Sequence, residues 1–206
     1  MPKYFYCYKP FGVLCQFTGE EPTLVSLGSF PKEVYPVGRL DKDSEGLLLL
    51  TDDAWLNHQL LNPKFAHQRT YFVQVEGIPT EEALAQLREG VTIQVDGKLY
   101  RTKPALVRVL DPAPLLPERF PPIRYRASIP DSWMALTLIE GKNRQVRKMT
   151  AAVGFPTLRL VRQSIENLSL SGLQPGECRS LSQEEAYRCL GLTGFLRSRG
   201  GPAKKQ

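Results

Sequence analysis

The sequence predicts an α+β fold built on a largely antiparallel sheet. Three observations carry that expectation. Strand-like and helix-like stretches are mixed along the chain without a regular β-α alternation. An Asp96-Gly97 pair between apolar runs marks a hairpin with a two-residue turn. Leu47, Leu48, Leu49 and Leu50 lie in succession between turn signals, which suits a strand buried on both faces, although periodicity alone also allows a turn of buried helix.

Residues 4–8 are an aromatic-rich strand that ends at the turn signature Lys9-Pro10-Phe11-Gly12. Residues 13–17 read as its continuation, and residues 18–22 as a polar loop. The segment around which the rest is organised follows. Gly38, Arg39, Leu40 and Asp41 form a tight polar turn, and a short charged loop leads into the leucine strand. Thr51-Asp52-Asp53 then caps a helix whose apolar positions are Ala54, Leu56, Leu60 and Leu61. Asp41 is therefore held in a loop between a glycine and a core strand, a common seat of chemistry.

Asn62-Pro63-Lys64 stops that helix, and residues 70–76 alternate as a strand. Thr80-Glu81-Glu82-Ala83 opens a second helix with acids in its first turn; Leu84 and Leu87 supply its apolar face and Gly90 ends it. Residues 91–95 and 99–102 form the hairpin, and residues 105–110 a further strand. Residues 111–123 hold five prolines without periodicity, an extended loop and a candidate flap over substrate. Residues 133–139 are a strand broken by Gly141, and residues 143–153 have helical spacing through Val146, Met149, Thr150 and Val153, closed by Gly154. Residues 157–164 alternate again, and Ser182-Gln183-Glu184-Glu185 is a capping box for a last helix reaching Leu190.

At 206 residues and 42% apolar composition, the chain is large enough to build one sizeable core. No apolar run approaches membrane-spanning length, so no membrane role is expected and the reading is cytoplasmic. Cys7, Cys15, Cys178 and Cys189 are scattered, and only His58 and His67 accompany them; this predicts reduced packing thiols and no metal site. Residues 142–206 carry 12 lysines and arginines against 4 acids, whereas residues 1–141 carry 15 against 17. A basic C-terminal third beside a near-neutral remainder predicts a polyanionic partner. Residues 193–206 read as a basic, disordered tail.

Gly38-Arg39-Leu40-Asp41, followed by Ser44-Glu45-Gly46-Leu47-Leu48, resembles the signature loop of the pseudouridine synthases that modify ribosomal RNA. Four further stretches match in order: Lys9-Pro10-x-Gly12-Val13, Tyr71-Phe72-Val73-Gln74-Val75, the run from Glu140 through Arg144 and Arg147 to Met149, and the run from Val153 through Pro156 to Leu160. The stretch from Val73 to Thr80 and Pro121-Pro122-Ile123-Arg124 turn the resemblance toward enzymes of the large ribosomal subunit. The resemblance implies a pseudouridine synthase fold: a long mixed, mostly antiparallel sheet in two lobes with a central active-site cleft. Residues 1–192 would be the catalytic domain, without a preceding RNA-binding domain, acting as a monomer on large-subunit ribosomal RNA.

The implied reaction is redox-neutral and releases no group, so no cofactor is expected. By resemblance Asp41 is the essential carboxylate, Tyr71 stacks on the target base and Arg147 pairs with Asp41, keeping it ionised. Lys142, Arg144 and Lys148 are expected to contact phosphates, with Arg39, Arg69, Asn143 and Gln145 as further RNA contacts and Leu158 on the opposite face of the uracil. Arg69 stands where the family usually has lysine, and Asn167 where it usually has glycine. Two rival readings stay open. Asp41, Asp43 and Glu45 could supply a glycosidase acid and base, or the chain could be a non-catalytic RNA-binding protein on the same fold.

Overall fold

The computed structural model describes residues 1–123 and 129–194. From residue 195 on, the expected tail lies outside the described residues, as does Arg124. In chain order the elements are β1 (Tyr4–Lys9), β2 (Tyr35–Val37), β3 (Glu45–Thr51), α1 (Ala54–Leu61), β4 (Arg69–Glu76), α2 (Glu81–Glu89), β5 (Thr92–Val95), β6 (Lys98–Arg101), β7 (Leu106–Leu110), β8 (Asp131–Leu138), α3 (Gln145–Ala152), β9 (Thr157–Ile165), β10 (Leu168–Ser169), β11 (Cys178–Leu181) and α4 (Gln183–Cys189).

A nine-stranded sheet runs β11-β1-β3-β9-β4-β8-β7, with β2 added to β3 and β10 to β9; β5 and β6 form a separate hairpin. Its pairings are antiparallel except for β3 with β9. That parallel contact is brief: Glu45 faces Val161 and Gly46 faces Arg162. The two halves of the sheet are joined at this seam and diverge beyond it, which opens a cleft. The α+β, mostly antiparallel expectation holds.

Strand β3 is buried at every position. Leu47 and Leu49 enter a core with Tyr4, Tyr8, Leu56 and Tyr187, while Leu48 and Leu50 enter another with Cys7, Val13, Leu24 and Val34. Each fully buried leucine contributes about 1.5–3 kcal/mol, so this strand outweighs any exposed ion pair of the molecule. A third core gathers Val73, Val75, Leu84, Leu87, Met134 and Met149 in the other half.

Gly46 makes the seam possible. Its φ is +111°, and a Cβ there would lie 2.4 Å from the carbonyl oxygen of Arg162 and 2.5 Å from its nitrogen. The predicted caps are formed. The Asp53 carboxylate accepts from the Leu56 amide at 3.0 Å and from the hydroxyls of Tyr4 and Tyr187 at 2.7 and 2.8 Å, tying α1, β1 and α4 together. Ser182 and Glu185 make the capping box of α4.

Two expectations are corrected. Residues 13–17 do not extend β1; Leu14 makes only an isolated bridge to Thr23. The reason lies in Lys9, whose buried ammonium donates to the carbonyls of Val13 and Pro10 at 2.7 and 3.0 Å and bends the chain back on itself. Cys7 and Cys178 are joined in a disulfide. They face each other on β1 and β11 with Cα atoms 4.1 Å apart, a proximity that 171 residues of separation hides. Cys15 and Cys189 are free thiols. Among the described residues no helix is long and apolar enough to cross a membrane.

Candidate active site

Where the half-sheets part there is a cleft of about 440 Å³. One wall is the loop before β3, with Gly38, Arg39, Asp41 and Ser44; the other is the turn before α3, from Ile139 to Val146. Its floor is the sheet. Strand alternation aims Arg69 and Tyr71 of β4, Leu138 of β8, and Leu160 and Arg162 of β9 to the same side.

The Asp41 loop is fixed at several points. Gly12 N–H donates to the Lys42 carbonyl at 2.8 Å, and Ser44 N–H closes a turn on the Asp41 carbonyl at 3.1 Å. Beneath it the Arg162 guanidinium, 2% exposed, donates to the carbonyls of Leu47 and Gly38 at 2.7 and 2.9 Å. The loop's three acids have different fates. Glu45 is buried in a forked pair with Arg159, at 2.8 and 2.7 Å. Asp43 receives both outer nitrogens of Arg144 at 2.8 Å, and that guanidinium holds its carboxyl below the usual range. The Asp41 carboxylate, about a third exposed, lines the cleft with Arg144 3.6 Å away. Among the described residues it accepts no hydrogen bond.

Arg147 feels the Asp41 charge, but its direct contacts are with Asp43 and Thr157. Its Nη2 donates to the Asp43 backbone carbonyl at 2.5 Å, Nε lies 3.4 Å from the Asp43 carboxylate, and Nη1 reaches the Thr157 carbonyl at 3.4 Å. Burial lowers the pKa of this guanidinium, with Asp43 opposing that shift. The physical reason for the exchange is the backbone at Arg144. It adopts the left-handed region, φ 53° and ψ 32°, and its guanidinium lies over the loop's Asp43. Such a conformation in a residue other than glycine costs about 1–3 kcal/mol and is concentrated at functional sites.

Arg39, Asp41, Arg69, Tyr71, Lys142, Asn143, Arg144 and Gln145 all line the cleft; Arg147, Lys148 and Leu158 do not. Leu158 falls where the β4–β9 register shifts and is left without a partner on β4, whereas Leu160, paired with Val73, lines the cleft. Lys148 instead reaches Asn143 Oδ1 at 3.5 Å. Gln145 is held on both sides by protein: its amide NH₂ donates to Glu140 at 2.7 Å and its oxygen accepts from Lys142 N–H at 2.9 Å. Arg69 is buried and donates to the carbonyls of Leu60 and His67, bracing α1 against β4. The Lys142 ammonium sits 4.7 Å over the Tyr100 ring.

The described part of the proline-rich loop is held against the body of the protein. Pro117 accepts from Arg159 at 2.9 Å, Arg119 lies 4.2 Å over the Phe11 ring, and none of residues 111–123 lines the cleft.

Sequence reasoning missed Arg162, Leu160, Glu140 and the buried Lys9. Lys9, Glu140 and Leu160 stood in the matching stretches without a role, and Arg162 showed as a cation at an inward position of an alternating strand. Lys9 is fully buried, and desolvation pushes its pKa down to about 8.

A model of the RNA pseudouridylate synthase family matches residues 3–152. The chain is 54% identical over 170 residues to the ribosomal large subunit pseudouridine synthase E of Xanthomonas axonopodis pv. citri, covering 81% of this chain and 87% of that one. It is 52% identical over 175 residues to the protein of the same name from Vibrio vulnificus, covering 84% and 73%. A crystal structure of a pseudouridylate synthase superposes with a TM-score of 0.75 at 31% identity, covering 92% of this chain and 74% of that one.

Proposed function

The chain belongs to the RNA pseudouridylate synthase family, and on that premise we propose that it converts a uridine of large-subunit ribosomal RNA to pseudouridine, with Asp41 as the essential carboxylate. It is an isomerase acting on ribosomal RNA, as its family and its named relatives indicate. The observation that carries the finer reading is the loop chemistry. Of its three acids, Asp43 and Glu45 are held by arginine forks, and Asp41 alone presents an unbonded carboxylate to the cleft. A glycosidase would need a second acid or base beside it, and both neighbours are occupied.

The reaction breaks the N1–C1′ bond, turns the uracil and joins C5 to C1′. Asp41 serves as the carboxylate at the glycosidic bond. Tyr71, on the sheet floor, stacks on the detached base and its phenol accepts the C5 proton; Leu160 supplies the apolar contact first assigned to Leu158. Arg144 supplies positive charge beside Asp41, the part first given to Arg147. A cleft of this size admits one nucleotide, so the target uridine is flipped out of its stack. Exposed Arg39 and Asn143 and half-buried Lys142 on the cleft walls contact the RNA backbone. One chain carries every named group within residues 1–192, so the enzyme acts as a monomer. Ribosomal RNA as substrate implies a cytoplasmic enzyme.

The test maps pseudouridines in ribosomal RNA from cells with and without the gene, then treats the unmodified RNA with purified protein. One large-subunit uridine should lose its modification, the protein should restore it, and Asp41→Asn should not. Restoration by Asp41→Asn would remove Asp41 from the reaction, and a lost site in the small subunit would refute the substrate.

A further inference from the structure

One cleft-lining group has no part in the chemistry above. His67 stands on the segment between α1 and β4, and its ring is mostly buried, with 12% of the side chain exposed. Its Nδ1 lies 2.9 Å from Glu166 Oε1, and the same oxygen accepts the Gln68 amide at 2.8 Å. Glu166 is placed for this by the two-residue turn between β9 and β10, where its φ is +49°. Its own N–H donates to the Gln68 carbonyl at 2.9 Å, and the next amide, of Asn167, donates to Cys189 at 2.9 Å. The carboxylate is thus fixed behind the imidazole and fixes the ring in turn, as carboxylates do for functional histidines. Among the described residues Nε2 has no hydrogen-bond partner.

We propose that His67, oriented by Glu166, is an RNA-contacting residue whose protonated Nε2–H donates to a backbone phosphate next to the flipped uridine. This deepens the reading of the chain as an RNA-modifying enzyme and rests on it. Two features favour phosphate over a base edge. With Nδ1 turned to the Glu166 carboxylate, Nε2 is the ring nitrogen left to meet RNA, and as an imidazolium it can only donate. The cleft also presents Arg39 and Lys142, so a phosphodiester passing His67 meets cations. The charged groups around the ring are Glu166 behind it, Arg69 on its own backbone carbonyl, and Asp41, Arg39, Lys142 and Arg144 in the same cleft. Lys9, whose pKa is pushed down to about 8, is common to every protein compared.

The test measures filter binding of the full chain to protein-free large-subunit ribosomal RNA as a function of pH and salt, beside pseudouridine formation in the same RNA. Wild-type affinity should fall by about tenfold from about pH 6 to about pH 8. His67→Gln should bind at all pH values like wild type at the alkaline end, with its salt slope reduced by about 0.7–0.9 for one lost phosphate contact. Glu166→Gln, which removes the carboxylate that orients the ring, should weaken binding in the same direction as His67→Gln. His58→Gln, changing the exposed second histidine, should behave as wild type. If His67→Gln keeps the wild-type pH dependence and salt slope and loses only thermal stability, the pair is a structural tie and the proposal is overturned. If wild type forms no pseudouridine in this RNA, the enzymatic reading fails, and the binding curves still decide whether His67 contacts phosphate.

Discussion

Arg144 grips Asp43 with both guanidinium nitrogens at 2.8 Å and stands 3.6 Å from Asp41, so one cation links the loop's anchor to its free carboxylate.

Arg144→Met should lower turnover by about tenfold or more, because Asp41 loses its nearest cation and Asp43 its clamp. The salt dependence of RNA binding should stay as in wild type, whereas Lys142→Ala should flatten it by about one unit of slope. A flattened slope for Arg144→Met would return Arg144 to the phosphate contacts. The Asp43–Arg144 pair is more than a third exposed on both sides, so water screens it; Asp43→Asn should cost about 1 kcal/mol at neutral pH. The folded-state pKa of Asp43 is depressed, so this contribution is present above the unfolded value of about 4 and is lost as pH falls through the folded one. Denaturation curves of wild type and Asp43→Asn should therefore converge in acid.

Gly46→Ala should destabilise the protein by about 3 kcal/mol or more, since it combines a positive φ with a Cβ driven into the Arg162 backbone. Gly97 has φ +77° in the β5–β6 turn and open space around it, so Gly97→Ala should cost only about 1 kcal/mol. Urea melts of both variants make the comparison. Equal losses would mean that the seam gives way to admit a side chain.

Lys9 is a buried cation whose pKa is pushed down to about 8, chiefly by desolvation. Between that value and the unfolded value of about 10.4, the unfolded chain holds a proton that the folded one has released. Stability from this group therefore rises with pH across that window, by roughly 3 kcal/mol in all. Melts of wild type and Lys9→Met from about pH 7 to about pH 10 should show wild type gaining on the variant. A constant gap would show that Lys9 stays charged.

What the sequence revealed depended on how local the cause was. Asp53 and Ser182 could be read as caps because the residues they serve are three positions away. The leucine run announced a doubly buried strand for the same reason. Motif order brought Asp41 and Tyr71 to one cleft, but order carries no direction. The exchange of Arg147 for Arg144 follows from a left-handed residue at Arg144, where propensity would have chosen its neighbour Asn143. Arg162, Glu140 and His67 take their meaning from partners across the fold, and no window of sequence contains them. The strands β2, β10 and β11 have two to four residues each and exist through their neighbours.

The four leucines of β3 carry no parity. A strand normally declares its register because a slip by one residue would turn its apolar side to water. Here a slip would exchange one leucine for another in both cores, and the hydrophobic effect would hardly register the error. The information must reside at the strand's ends. At one end Gly46 is the residue that tolerates the Arg162 backbone; at the other, the Thr51 hydroxyl donates to the Lys3 carbonyl at 2.6 Å and accepts from Asp53 N–H at 3.1 Å. Asp41 lies five positions before the first of these markers. Pairing the strand correctly and delivering the carboxylate to its cleft are therefore a single event in folding.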